Sequence, residues 1–385
     1  MPAISRHEPV LTPPFILSFA ANALQALAFN LYLHLPGFLQ QLGAGEIQIG
    51  VIFGVTAATA IAAKPTIGRV MDREGRRTVI LAGGCLNVVV CALYLTISRV
   101  GPWLYLVRIG HGIAEAMLFA ALFTHAADLL PLARRTEGIA LFGVSGMLPM
   151  SMSGVLGDVI LARSEYAALF LTSLVFATAS LLLSLPLRDD WSTREGQPPR
   201  GLMVAARQPD LLPLWFMGGV FATALAAQFT FLKTFIGSTG VGSMGLFFTA
   251  YSGAAVVLRL LFAWLPERVG PKRVLFPALA MLALGYVLLA LATGPAAVAA
   301  AGVLGGIGHG FTFPILSGLV VHRARSTERG GALSIFTALF DGGVLIGGPA
   351  LGAVIHFAGY PAMFGSAAAL VITGAAVFAI WDRRY

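Results

Sequence analysis

Arg108, His111 and Glu115 lie three and four residues apart in one long apolar run. On an α-helix that spacing puts a permanent cation, an imidazole and a carboxylate on one face. Arg108 stays charged and can anchor an anion or hold Glu115 ionised. His111 and Glu115 can exchange a proton near neutral pH once burial and Arg108 adjust them. The three can equally satisfy one another by pairing, with no ligand involved. A second set lies further along, with His309 in a Gly-rich run and Asp341 in the next. A carboxylate in so apolar a setting favours its neutral form, which suits a proton carrier. A helix-end or pairing role is the alternative for Asp341, and plain packing is the alternative for His309. The amides Asn22, Gln25 and Gln228 can contact a solute or bond one helix to another.

Other chemistries find no support. No nucleophile–base pair or metal-ligand spacing is present, so neither an enzyme nor a metal or other cofactor is expected. Gly305-Gly-Ile-Gly-His-Gly310 lacks the strand before it and the helix start after it that a nucleotide loop needs. No Walker sequence occurs, which excludes an ATP motor in this chain. Cys85 and Cys91, six residues apart, point in different directions on a helix and read as core residues.

The elements that position these groups follow from composition. The chain has 385 residues, 57% hydrophobic and 11% charged, with a mean hydropathy of +0.84. A soluble domain carries about 25% charged residues, so this chain faces lipid over most of its area. The net charge of +8 sits in short clusters between apolar runs, a pattern of membrane topology rather than of nucleic-acid binding. The first residues lead from Arg6, His7 and Glu8 into an apolar run without a small-residue cleavage site, so no secretory leader is expected.

Twelve runs are long enough to span a bilayer: 13–38, 47–67, 78–98, 101–127, 138–161, 166–187, 211–236, 244–265, 274–293, 295–321, 331–356 and 361–381. Backbone groups in lipid must bond internally, and no two-residue alternation occurs, so these are helices. Of the 25 Lys and Arg residues, nineteen fall in one set of loops and only Arg99 and Arg163 in the other. The first set, with both termini, is expected in the cytoplasm. The polar, Pro-containing stretch 188–210 reads as a cytoplasmic linker between two halves of six spans, 1–187 and 211–385.

The halves repeat. Asp72, Arg73, Gly75 and Arg77 fall on Glu267, Arg268, Gly270 and Lys272; Arg108-Ile-Gly-His-Gly112 falls on Gly306-Ile-Gly-His-Gly310; Arg134-Arg-Thr-Glu137 falls on Arg325-Ser-Thr-Glu328. Parallel repeats of six spans are a transporter architecture. Residues 64–80 put seven charges into seventeen residues, more than topology alone requires. Gly68, Asp72, Arg73, Gly75, Arg76 and Arg77 match the pattern G-x-x-x-D-R-x-G-R-R/K between spans 2 and 3. Asp72 can pair with Arg76, and Gly75 permits a tight turn.

On that loop, and on Arg108 and Gly112 as R-x-x-x-G in span 4, the chain resembles the major facilitator superfamily over essentially its whole length. Phe340-Asp341-Gly342-Gly343 is similar in style to bacterial efflux-type members. The resemblance implies an all-α membrane protein of twelve transmembrane helices in two six-helix bundles. It implies that the 68–77 loop latches the halves on the cytoplasmic side, with Asp128 as a further partner of Arg76. It also implies a cavity lined by spans 1, 4, 7 and 10, which puts Asn22, Gln25, Arg108 and Gln228 on the substrate wall. Asp341, Glu115, His111 and His309 are then the candidates for proton coupling. In span 5, Leu148 precedes Pro149 where the family's antiporter motif pairs Gly with Pro; Gly347, Gly348, Pro349 and Gly352 in span 11 match better.

The expectation is a proton-coupled transporter of the bacterial inner membrane, working by alternating access as a monomer. Phe, Leu and Met predominate in the cavity spans, which favours export of a small amphiphilic compound or metabolite. Uptake of a sugar or organic anion in symport with protons, or lipid flipping, are the alternatives.

Overall fold

The computed structural model describes residues 9–131, 134–189, 202–325 and 328–382. Of the expected linker 188–210, residues 190–201 lie outside the described residues, as do Arg6, Arg383 and Arg384. The elements in order are α1 Pro13–Asn30, a 3-10 turn Leu31–His34, α2 Leu35–Gln41, α3 Glu46–Glu74, α4 Arg76–Tyr94, α5 Pro102–Asp128, α6 Arg135–Arg163, α7 Tyr166–Ser184, α8 Leu202–Ala206, α9 Leu212–Thr239, α10 Met244–Phe262, α11 Leu265–Val269, α12 Pro271–Ala290, α13 Pro295–Arg323 and α14 Arg329–Trp381. Every described element is a helix.

Local sequence sets the helix ends. Thr12 accepts the Phe15 N–H at 3.4 Å and Ser243 accepts the Leu246 N–H at 3.1 Å, capping α1 and α10. Proline occupies the first turn of α1, α5, α9, α12 and α13, where its missing N–H costs nothing. Gly240, at φ 69°, closes α9.

Eleven helices among the described residues are long and apolar enough to cross a membrane. The last, Gly331–Trp381, has 51 residues, roughly 77 Å if straight, against about 30 Å of hydrocarbon. It is broken at Gly359, whose φ of 80° and ψ of 174° are not helical, between the two spans expected at 331–356 and 361–381.

The chain forms two compact units. The first comprises residues 1–35 and 59–193, the second 36–58 and 194–385. The division therefore falls inside α3, between Ala58 and Thr59, and at the start of α2, between Leu35 and Pro36. In the first unit α1 packs on α6 and α7, and α4 on α5 and α7. Its core includes Phe15, Ile80, Leu118, Leu122 and Phe142. Ser180, Ser173 and Ser153 donate to the carbonyls of Ala21, Ala28 and Leu27 at 2.8, 3.0 and 3.1 Å, the small-polar adhesion expected of helices in lipid.

In the second unit α14 packs on α9 and α12, and α13 on α10 and α12. Residues 46–58 of α3 belong here, and they meet α14 backbone to backbone. A Cβ on Gly50 would overlap the Gly348 carbonyl, and one on Gly352 would lie 2.6 Å from the Glu46 carbonyl. Large apolar side chains point outward, Phe357, Leu260 and Leu291 being 82%, 73% and 71% exposed, while polar ones such as Asn87, His111 and Gln228 are buried. That inversion suits a lipid solvent.

Candidate functional site

Three groupings of polar side chains stand out, each within one unit. The first is on α5. Arg108 is 4% exposed and His111 1% exposed. An Arg108 Nη donates to the Tyr94 hydroxyl at 3.1 Å, and that hydroxyl lies 2.9 Å from His111 Nδ1. Arginine can only donate, so the Tyr94 oxygen accepts from Arg108 while it also meets the His111 imidazole. Tyr32 packs its ring 4.6 Å from that of His111 and 4.5 Å from that of Tyr94. Glu115 is half-buried one turn further on. The expected helical face is therefore present, and its organiser is Tyr94 from α4.

The second grouping is in the other unit. The Tyr251 hydroxyl contacts His309 Nδ1. Phe221, Phe313 and Phe229 surround the imidazole with centroids at 5.4, 6.3 and 6.5 Å. His111 and His309 correspond in the sequence repeat, yet one bonds a tyrosine on α4 and the other a tyrosine on α10. Gln228, 1% exposed, has its Oε1 near Gly305 and Tyr251, and its Nε2 has no hydrogen-bond partner among the described residues. The other two amides are engaged: Asn22 donates to Ser145 Oγ at 2.7 Å, and Gln25 accepts from Asn87 at 3.1 Å. Asp341 is half-buried on α14, next to Phe340, which joins the aromatic shell at 5.0 Å from Phe313.

The third grouping surrounds the charged loop. Arg76 does not pair with Asp72, which is exposed. Its Nε donates to Asp128 at 3.0 Å and its Nη1 to the Met71 carbonyl at 3.0 Å, so Asp128 is the partner and the neighbouring backbone takes the rest. Arg73 is exposed. Arg77 reaches the open end of α7, donating to the carbonyls of Leu187 at 2.7 Å and Leu185 at 3.0 Å. Asp189 returns the contact: both carboxylate oxygens accept the Arg77 backbone N–H at 3.0 Å, capping the positive end of α4. His125, fixed by Ser18 at 2.9 Å, donates to the Arg188 carbonyl at 3.1 Å.

The second unit uses side-chain ion pairs where the first uses a backbone cap. Lys272, the counterpart of Arg77, and Arg323 both grip Asp382, at 3.2 and 2.8 Å. Burial alone would push the Asp382 carboxyl up; the hydrogen bonds and charges of Arg323 and Lys272 outweigh it and hold the group below its ordinary 3.8. This stabilisation is complete above that ordinary value and is lost as pH falls through the depressed one. Asp382→Asn should lower thermal stability in detergent by about 2 kcal/mol at pH 6, and the gap from the natural protein should close in acid. A gap that persists at pH 2 would show that the charge is not what Asp382 contributes.

The two signature glycines behave oppositely. Gly75 sits at φ 88°, ψ 167°, a region nearly closed to other residues, and a Cβ there would collide with Asp189. Gly68 is helical and meets nothing within 4 Å. Gly75→Ala should destabilise by about 1–3 kcal/mol, whereas Gly68→Ala should be neutral or stabilising by up to about 1 kcal/mol. Thermal unfolding of the two purified variants checks the opposite signs.

Sequence reading passed over four acceptors: Tyr94, Asp189, Asp382 and Asp158. His34, at the end of the 3-10 turn, pairs with Asp158 of α6 at 3.3 Å, and Gly157 lies against its imidazole. The signal was depth: both residues lie three or four positions from the ends of odd-numbered spans, 13–38 and 138–161, so both reach the same, Arg-poor side.

The sequence model described as Major Facilitator Superfamily matches residues 15–242 and 214–385. The chain belongs to that superfamily. Curated relatives of this major facilitator protein include the multidrug resistance protein MdtL of Shigella dysenteriae serotype 1, 27% identical over 223 residues, and MdtL of Escherichia coli O157:H7, 30% identical over 226 residues. Each match covers 57% of this chain and 56% of the relative; the chain thus spans about half the length of the curated relatives it matches. Among solved structures, the nucleoside transporter NupG matches 97% of the chain and all of its own, with a TM-score of 0.79 at 14% identity. The human organic anion transporter TETRAN matches 96% of the chain and all of its own, with a TM-score of 0.74 at 18% identity. At such identities these two establish the fold alone.

Proposed function

We propose that this major facilitator protein is a proton-coupled exporter of small amphiphilic organic compounds, acting by alternating access in a bacterial inner membrane. Its twelve spans would place both termini in the cytoplasm and its two halves at 1–187 and 211–385. The observation that carries the coupling is the retention of ionisable side chains inside an otherwise apolar bundle: Arg108, His111 and Glu115 on α5, His309 on α13, and Asp341 on α14. Such groups are costly in lipid and mark ion or substrate paths by default. Gln228, with a buried and unpartnered donor, is the best-supported substrate contact; Asn22 and Gln25 would have to release Ser145 and Asn87 first. The aromatic shell of His309 favours an amphiphile, and the relatives named as multidrug resistance proteins support export. Arg76, Asp128 and the 68–77 loop would serve as the latch.

Arg108 supports a second reading, uptake of an organic anion with protons. The direction of flux separates the two. Proteoliposomes enclosing a pH-sensitive dye are given an imposed pH gradient and a panel of lipophilic cations and organic anions. Proton movement opposite to a lipophilic cation supports the export reading. Movement of protons and an anion in the same direction transfers support to uptake, and a panel that moves no protons removes coupling altogether.

A further inference from the structure

A cavity of about 320 Å³ lies where α8 meets the end of α13, lined by Val204, Arg207, Gln208, Pro209 and Arg325. Both charged residues in its lining are arginines, and both are exposed. No acid lines it. We propose that this groove binds the phosphate of an anionic phospholipid in the leaflet that meets the Arg-rich helix ends.

The walls are already tied together. Gln208 donates to the buried Glu328, and an Arg323 Nη1 donates to the Asp210 carbonyl at 3.5 Å. Trp215 Nε1 donates to the Ala206 carbonyl at 3.2 Å, fixing α8 against the start of α9. The chain's own hydrogen bonds thus hold the groove walls, and little ordering remains to be done on binding. Glu328 offsets this charge only in part: one of its oxygens accepts from Gln208, the other makes a long ion pair with Arg325 at 3.9 Å, and two guanidiniums against one carboxylate leave the groove positive. Arg325 therefore keeps most of its donors, as does Arg207, and two guanidinium forks on one cavity match a tetrahedral oxyanion.

The lip distinguishes a lipid from a dissolved anion. Val204 is 42% exposed in the groove wall and Leu212, at the start of α9, 40% exposed. With Trp215 beside them they provide apolar footing for acyl chains and an indole of the kind that settles at membrane interfaces. Basic side chains at the interface attract acidic headgroups by about five-fold each, so the pair should contribute about 25-fold.

The test is lipid binding rather than transport, so it stands apart from the functional reading above. The full chain is purified in a neutral detergent and titrated with phosphatidylglycerol, phosphatidylcholine or inorganic phosphate, with bound species counted by native mass spectrometry. The natural protein should retain phosphatidylglycerol in preference to phosphatidylcholine. The double variant Arg207→Gln/Arg325→Gln should lose about 25-fold of that affinity, while Arg273→Gln, on the same Arg-rich side, should lose none. Equal retention by the double variant, equal loss in Arg273→Gln, or occupancy by inorganic phosphate at the same concentration would each overturn the assignment. Val204→Asp supplies a second check, since an acid in the wall should weaken lipid retention without removing either arginine.

Discussion

Asp341→Asn should cut proton-driven flux by about tenfold or more while leaving substrate exchange intact. Asparagine has the shape of the neutral acid and cannot ionise, so it fixes the side chain in one of its two states. Asp341 stands twelve residues into α14, about 18 Å along the axis, too deep for a helix-end role. Its neighbour Phe340 already belongs to the aromatic shell of His309. A carrier that has lost its proton acceptor can still exchange one substrate molecule for another, because that step moves no proton. The measurement is dye-reported proton movement beside isotope counterflow in the same vesicles. Asp158→Asn is the companion variant. If it abolishes coupling and Asp341→Asn does not, the acceptor is the His34–Asp158 pair, and the assignment to α14 is wrong.

Gly50→Val should be as damaging for a different reason. Residues 46–58 of α3 lie on α14 with no side chain between Gly50 and the Gly348 carbonyl. A valine has nowhere to go, because the obstacle is main chain and cannot change rotamer. Overpacking of this kind costs about 3 kcal/mol, roughly 150-fold in the population of the packed arrangement. Gly45, with nothing within 4 Å, is the matched control. Gly45→Val should keep transport and thermal stability, whereas Gly50→Val should lose most of the first and several degrees of the second. Equal behaviour of the two would mean that the close approach of α3 and α14 is dispensable.

What the sequence disclosed follows from the range of each interaction. Hydropathy is a property of single residues summed over a window, so long apolar helices were legible: eleven among the described residues can cross a membrane, and the last of them is broken at Gly359. The face of Arg108, His111 and Glu115 was legible because helical spacing is local. Partner choice was not. Asn22 meets Ser145 across 123 residues and Arg77 meets Asp189 across 112, and nothing local announces such pairs. The repeat could have narrowed the search. Asp189 and Asp382 lie 193 residues apart, close to the 195 that separates Arg77 from Lys272, so the two acceptors could have been paired with the two bases. The repeat also misled: His111 and His309 align, yet their tyrosines come from unrelated helices.

The paired closures at Asp189 and Asp382 bear on biosynthesis. Arg77 leaves the ribosome 112 residues before its acceptor, a wait of about 6–20 s at ordinary elongation rates. Throughout that interval the bare amino end of α4 and the guanidinium beside it have no counterpart in the nascent chain. This closure forms only once the chain past α7 has been made, so a chain truncated before Asp189 would be inserted but unfastened, a ready target for membrane proteases. A similar wait separates Lys272 from Asp382 at the end of α14, so that contact too forms late.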